Sequence, residues 1–415
     1  MNVNIQFPAY DALNRAYVTW RPVRVALRLQ QPPVGVANVA VTVSARTAAG
    51  GGRLALATTL THQGTNTLNV TLPASGAAVN IWVGGAFGSP SARFGDVTLE
   101  VRAQAGGPVL GSHPTMVRVR KDANALSTTE RNRFLAALAT LNGQGGGPFA
   151  NFRDMHIDGP PDDEAHGGPG FLPWHRAYLM DFERELQVID PEVTLPYWRF
   201  DRPAPNVFTR DFMGAVVASQ AQFSAANPLK SWAPVAGPVG VYRGPGVGPQ
   251  TVPNVATEPQ TLGLGGVPAA TATYALFRRM QTNPHNRAHM SHLEGWITDP
   301  ATAPGDPLFF LLHCNVDRLW AKWQWAVGLH DPASPRSFTP SAGFSPGHRL
   351  NDRLWPWCGP LPAPRPTTAP GGGLAASPMT GAPGVSPRAR DLIDYLGTIG
   401  PTHLAFAYDD VPFQV

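Results

Sequence analysis

The hydrophobic period of this chain changes near Ser127, and the change limits what each part can fold into. Up to about residue 120 the apolar residues come in short runs: Tyr17–Trp20, Val23–Leu29, Val39–Val43, Leu54–Thr59, Leu68–Leu72, Val79–Val83, Val97–Val101 and Met116–Val119. They are rich in β-branched and aromatic residues, and Gly, Pro, Ser or Asn separates them. About eight strands spaced by roughly a dozen residues predict an all-β sandwich domain over residues 1–120. No group of chemistry-bearing residues falls there, which points to packing or partner binding.

From Ser127 the spacing becomes helical. Ser127-Thr-Thr-Glu130 reads as a capping box, with Phe134, Leu138 and Leu141 on one face behind it. Further helices are expected from Pro173 to about Ile189, from Pro284 onward, and from Pro307 to about Val327. The last opens with Asp306 as N-cap acceptor and proline in the first helical position. Residues 201–275 are rich in Pro and Gly and read as a long irregular excursion over the surface. Residues 359–388 read as a linker, followed by a short helix near Arg388–Leu396 and a final apolar strand, Leu404–Tyr408. The expected second domain, 121–415, is therefore mainly α-helical with long irregular loops. Gly 43 and Pro 44 among 415 residues agree with that share of loop.

Composition excludes several classes. Charged residues make up 14% and hydrophobic ones 43%, which argues for a packed interior rather than a disordered polyelectrolyte. The net charge of +4 comes from scattered basic residues without aromatic interleaving, so no nucleic-acid partner is expected. No window approaches 18 apolar residues, so no membrane span is expected. Two cysteines, Cys314 and Cys358, cannot make a disulfide framework and leave the compartment open. The N-terminus lacks a charged segment followed by an apolar run, so a cytoplasmic location is the default, with export alongside a partner left open.

The chemistry lies in the histidines. Of 12 in the chain, seven fall between positions 156 and 313. His285 and His289 are four apart and project from one helix face. His313 aligns with Phe309, Val316, Asp317 and Trp320, and His175 with Leu179, Phe182 and Leu186, so both point inward. One inward histidine is more often a hydrogen-bonded core residue than a ligand. Four on converging helices, with His156 and His166 just upstream, favour metal binding, because a buried imidazole without a partner is costly. An all-nitrogen set suits copper, zinc or nickel, and spacing does not choose among them.

Three stretches carry a resemblance. Asp306-Pro-Leu-Phe-Phe-Leu-Leu-His313-Cys-Asn-Val-Asp317-Arg318-Leu-Trp320 resembles the second copper signature of the tyrosinase, or type 3 copper, family, and Phe171-Leu-Pro-Trp-His175-Arg-Ala-Tyr resembles the first. Pro284-His285-Asn286-Arg-Ala-His289 is similar to that family's helical pair, and Phe406-Ala-Tyr408 to the motif closing its catalytic domain. The resemblance spans about residues 117–320. It implies a four-helix-bundle domain with a dinuclear copper centre, His156, His166 and His175 on one ion and His285, His289 and His313 on the other. It implies Asp317 and Arg318 as braces between helices, and Phe310 as an aromatic packed against the ligands. His292 falls on the same helix face as the pair, seven residues after His285, but has no counterpart in the family pattern and reads as lying behind the ligands or facing solvent.

The implied activity is oxidation of o-diphenols to o-quinones with molecular oxygen, with ortho-hydroxylation of monophenols beside it. An oxygen-binding, hemocyanin-like protein and an o-aminophenol oxidase are the alternatives. A copper chaperone is an implied partner, and the oligomeric state is left open. Hydroxylation needs the phenol proton removed against a pKa near 10. Asn286 matches the residue linked to that task, but no Asp or Glu lies between Pro259 and Leu293 to help it; Gln281 is the nearest polar substitute. The family's Tyr-Trp-Asp-Trp segment reads Tyr197-Trp198-Arg199-Phe200 here.

Overall fold

The computed structural model describes residues 1–157, 163–246, 248–263, 269–292, 294–340, 346–358 and 372–414. The first part of the expected linker, residues 359–371, lies outside them. The chain divides into two compact units, one of residues 1–119, 377–381 and 396–415, the other of residues 120–376 and 382–395. The last twenty residues thus pack with the β-rich unit rather than with the helical unit to which the sequence reading gave them.

In the first unit, β1 (Asn2–Gln6), β3 (Val23–Gln30), β7 (Val79–Gly85) and β5 (Leu54–Ala57) form one antiparallel sheet in the order β1-β3-β7-β5. A second sheet runs β2 (Ala16–Val18), β9 (Val109–Val117), β8 (Val97–Arg102), β4 (Asn38–Thr47), β6 (Thr67–Pro73). Alternation explains β3: Val23, Val25, Leu27 and Leu29 are buried while Arg24, Arg28 and Gln30 are exposed. Strand β1 shows the same alternation in Val3 and Ile5, but its polar look hid it in the sequence. The expected strand Leu404–Tyr408 is not one. Leu404, Phe406 and Tyr408 are buried, the Tyr408 carbonyl accepts from the Trp20 indole at 2.7 Å, and a bridge at Tyr408 stands in place of a strand, so the segment packs mainly by its side chains.

The helical unit holds α1 (Thr128–Asn142), α2 (Phe149–Ile157), α3 (Phe171–Ile189), α4 (Glu258–Leu262), α5 (Tyr274–Phe277), α6 (His285–His289) and α7 (Leu308–Val327). The capping box at Ser127 and Glu130 starts α1, and Gly143 ends it in the left-handed region at φ 51°. Asp306 accepts from the Leu308 amide at 2.8 Å at the start of α7. Helix α6 stops after five residues, so His292 is not on its face. The stretch 201–275 is irregular apart from short elements, among them the hairpin β10 (Ala215–Val217) and β11 (Gln220–Gln222). It does not simply ride over the surface: Trp232 is buried with its indole donating to Gly305 at 2.9 Å, and buried Arg243 grips buried Asp306 through two bonds of 2.8 and 2.6 Å.

Buried charges lock α3 to α7. Arg120 makes a fork to Glu183 at 3.0 and 2.9 Å and reaches Asp317 at 3.2 Å, while Arg176 meets the other oxygen of Asp317 at 2.6 Å. Arg176 also stacks 3.7 Å from the Trp320 ring centre. Such a network holds register because leaving any one member unpaired in the interior is costly. Among the described residues no helix is long and apolar enough to cross a membrane.

Candidate metal centre

Two groups of three histidines come together in the helical unit: His156, His166 and His175, and His285, His289 and His313, with one ring nitrogen from each member of a group within 4.8 Å of the others. His156 comes from α2, His175 from α3, the His285–His289 pair from α6, and His313 from α7, while His166 precedes α3 outside any helix. The groups adjoin. His175 and His313 stack with ring centres 4.2 Å apart, and His156 lies 6.3 Å from His313.

The ring orientations suit a metal. Nδ1 of His156 faces the Pro300 carbonyl at 3.0 Å, that of His175 Phe171 at 2.9 Å, that of His285 Gln281 at 3.1 Å, and that of His289 Ile297 at 2.6 Å. A carbonyl only accepts, so these Nδ1 atoms carry the proton and each Nε2 presents a lone pair. Nε2 of His156 and of His175 are buried and meet no hydrogen-bond partner among the described residues. Nε2 of His285, His289 and His313 lie 3.1–3.4 Å from one another, with no protons to place between the first two. Lone pairs crowded together in a dry site fit a cation held among them.

For five of these rings protonation does not compete at neutral pH. Burial, reinforced by neighbouring histidines, holds His156, His175, His285 and His313 well below the ordinary imidazole range, and burial brings His289 to about 4. The rings also have aromatic walls. Phe309 lies 4.3 Å from His313, 4.9 Å from His156 and 6.0 Å from His289, and Phe171 lies 4.9 Å from both His175 and His285.

Phe309 therefore replaces Phe310 as the aromatic against the histidines. Phe310 points the other way and stacks on Phe182 at 3.7 Å, with Tyr178 at 5.8 Å. The reason is helical: Phe309 is one turn before His313, whereas Phe310 faces α3. His292 is not solvent-facing either. It is fully buried beside Phe208, pairs with the Ser291 hydroxyl at 2.9 Å, and belongs to neither group. Burial and nearby Arg243 bring it down to about 3.

Asp317 sits in the lock between α3 and α7, one turn after His313. Arg318 bonds Asn315 at 3.0 Å, pairs with Glu258 of α4 and lies 4.7 Å from the Tyr197 ring centre. Glu258 also meets Lys322 at 2.8 Å and Arg199 at 2.9 Å. Burial raises its carboxyl, but Arg318, Lys322 and Arg199 together hold it below the usual range. The arginine at 199 thereby gains a physical account as a partner of Glu258. Asn286 is exposed, and its Oδ1 accepts from Nδ1 of His285 at 2.8 Å. The sequence reading did not anticipate helix α2, or the carbonyls of Pro300 and Ile297 that orient two rings; backbone acceptors leave no residue-type signal.

A site of two adjoining three-histidine groups between aromatic walls defines a dinuclear metal protein of the kind that handles a small diatomic ligand. The model of the common central domain of tyrosinase matches residues 146–326. The tyrosinase of Streptomyces glaucescens is 32% identical over 269 residues, covering 59% of this chain and 94% of that protein, and that of Streptomyces antibioticus is 31% identical over 274 residues with the same coverage. A functional unit of octopus hemocyanin aligns over 72% of this chain and 69% of its own at 18% identity, with a TM-score of 0.47, too loose a likeness to argue from. The chain belongs to the tyrosinase family. Its cofactor is a pair of copper ions, and it is a dicopper oxidase acting on phenols.

Proposed function

We propose that the chain oxidises o-diphenols to o-quinones, with His156, His166 and His175 holding one copper and His285, His289 and His313 the other. The observation that carries the assignment is the set of Nε2 lone pairs facing one another, with Nδ1 of four rings turned to backbone carbonyls. When bound, the copper pair supplies oxygen binding and the electron exchange by which two catechols lose four electrons and four protons and one oxygen becomes two waters. The protein's part is to fix the rings and exclude water. The side chains of Phe171 and Phe309 supply the apolar walls for that exclusion.

Catechol oxidation is proposed to dominate over hydroxylation of monophenols. With its Oδ1 engaged by His285, Asn286 offers amide N–H donors and no base, and no carboxylate stands in residues 260–292 to remove a phenol proton. As architecture, we propose that α2, α3, α6 and α7 surround the metal pair as a four-helix bundle, since each carries at least one of the histidines. The two sheets of the other unit are proposed to face each other as a sandwich, supported by one-sided burial in β1 and β3. The test of the activity is a quinone assay on catechol and on a matched monophenol. Rapid colour from catechol, and slow or lagging colour from the monophenol, is expected. Reversible oxygen binding without quinone contradicts the proposal.

A further inference from the structure

We propose that His348 is the positioning residue of the first triad, a two-ended hydrogen-bond clamp that sets His166. The inference rests on the ligand assignment above and refines it. Of the six histidines, His166 alone lies outside helices α2, α3, α6 and α7, on the segment 163–170 that leads into α3. A ligand so placed needs another support to hold its ring within the narrow tolerance a metal site demands.

His348 provides that support. It is 1% exposed, and its ring spans the segment. The Gly170 amide donates to its Nδ1 at 2.9 Å, and its Nε2 lies 2.7 Å from the Asp163 carbonyl. An amide N–H can only donate and a carbonyl can only accept, so His348 carries its proton on Nε2. That tautomer is the reverse of the one read for His156, His175, His285 and His289, as suits an imidazole that bridges backbone instead of binding metal. The clamp ties a residue three before His166 to one four after it.

The close fit is written into glycines. A Cβ on Gly168 would sit 2.3 Å from Cε1 of His348, and one on Gly170 would sit 2.7 Å from the Glu164 carbonyl. Glu164 is buried, and its carboxylate accepts from the Trp355 amide at 3.0 Å. Gly347, at φ 96°, passes so near that a Cβ would meet that carboxylate at 2.6 Å. The Asp352 carboxylate holds the His348 turn by accepting from Gly347 at 3.0 Å and Arg349 at 3.2 Å. The Tyr274 hydroxyl donates to the Pro169 carbonyl at 2.5 Å, fixing the segment again from α5.

The test is copper titration of the metal-free protein against a competing chelator, for the wild type, His348→Met and His348→Gln. Methionine keeps the bulk but makes neither bond, so one of the two sites is expected to weaken by about 10–100-fold while the other holds. Glutamine carries an acceptor and a donor on one amide, and is expected to restore the weakened site to within roughly 3-fold of wild type. Equal weakening of both sites in the methionine variant, no weakening in either, or a glutamine variant no better than methionine overturns the proposal. Should the methionine variant fail to fold, nitrogen-15 spectra of the wild-type histidines decide: His348 protonated on Nε2 supports the clamp, and protonation on Nδ1 overturns it. Failure of the wild type to bind two coppers would be a different result, removing the ligand assignment and the clamp with it.

Discussion

The two triads are built differently. His285, His289 and His313 all come from helices, α6 and α7, and their Nε2 atoms lie 3.1–3.4 Å apart. His156 and His175 are also helical, but His166 is held by a loop whose supports come from residues far along the chain. A helical site inherits its geometry from local backbone bonds, whereas a loop site borrows its geometry from tertiary contacts. The lesson is that six chemically equal histidines need not be equally secure, and removing support should affect the two triads unequally.

The largest effect tests whether the triads are separate sites. His175→Ala and His289→Ala should each lose one copper and cut catechol turnover by roughly 1000-fold or more, since the reaction needs both ions. Metal analysis beside an oxygen-uptake assay checks this, and two coppers retained in either variant would break the assignment. Next comes the scaffold the triads share. Asp317→Ala takes the shared carboxylate from Arg120, which keeps Glu183, and from Arg176, which keeps Gln324 and the Leu392 carbonyl, and should lower stability by about 3 kcal/mol, read by denaturant unfolding. A loss below about 1 kcal/mol would mean that the lock between α3 and α7 matters little.

Acid should act on the metal-free protein in a definite direction. Burial lowers His292 to about 3, and His289 and His330 to about 4, while the unfolded chain titrates near 6.5. Above 6.5 neither state binds these protons, so the stability is intact there. As pH falls from 6.5 toward 4 only the unfolded chain is protonated, and each group removes on the order of 1 kcal/mol per pH unit. Thermal scans across that window should show Tm falling steadily; a flat profile would mean these rings are not buried neutral. The smallest effect separates neighbours. Phe310→Leu should cost about 1 kcal/mol and leave copper affinity unchanged, whereas Phe309→Leu, at similar cost, should perturb the copper site. Identical copper behaviour in the two variants would erase the distinction drawn between their faces.

How much of this was legible follows the same division. The α6 pair and the α7 histidine could be read from spacing, because i to i+4 periodicity is a local property of a helix. The capping box at Ser127 was likewise readable, and forms. Phe309 was readable as a neighbour of His313, but the motif drew attention to Phe310, whose ring turns away. His292 was misplaced because α6 was read as continuing where it ends. His348 had no local signal at all: its meaning depends on Asp163 and Gly170, which only folding brings to it. The apolar run at Leu404–Tyr408 advertised burial correctly but not a ladder, since hydrophobicity specifies where a segment goes better than whom its backbone pairs with.

The central claim is that six imidazoles bind two coppers that oxidise catechol together. Loading the metal-free chain with Cu(I) in steps, while measuring bound copper and oxygen uptake on catechol at each step, tests it most directly. Activity should stay near zero for singly loaded molecules and climb to a plateau at two coppers per chain, with one oxygen consumed for two catechols. Full activity at one copper per chain, or two bound coppers with no oxygen uptake, would contradict it.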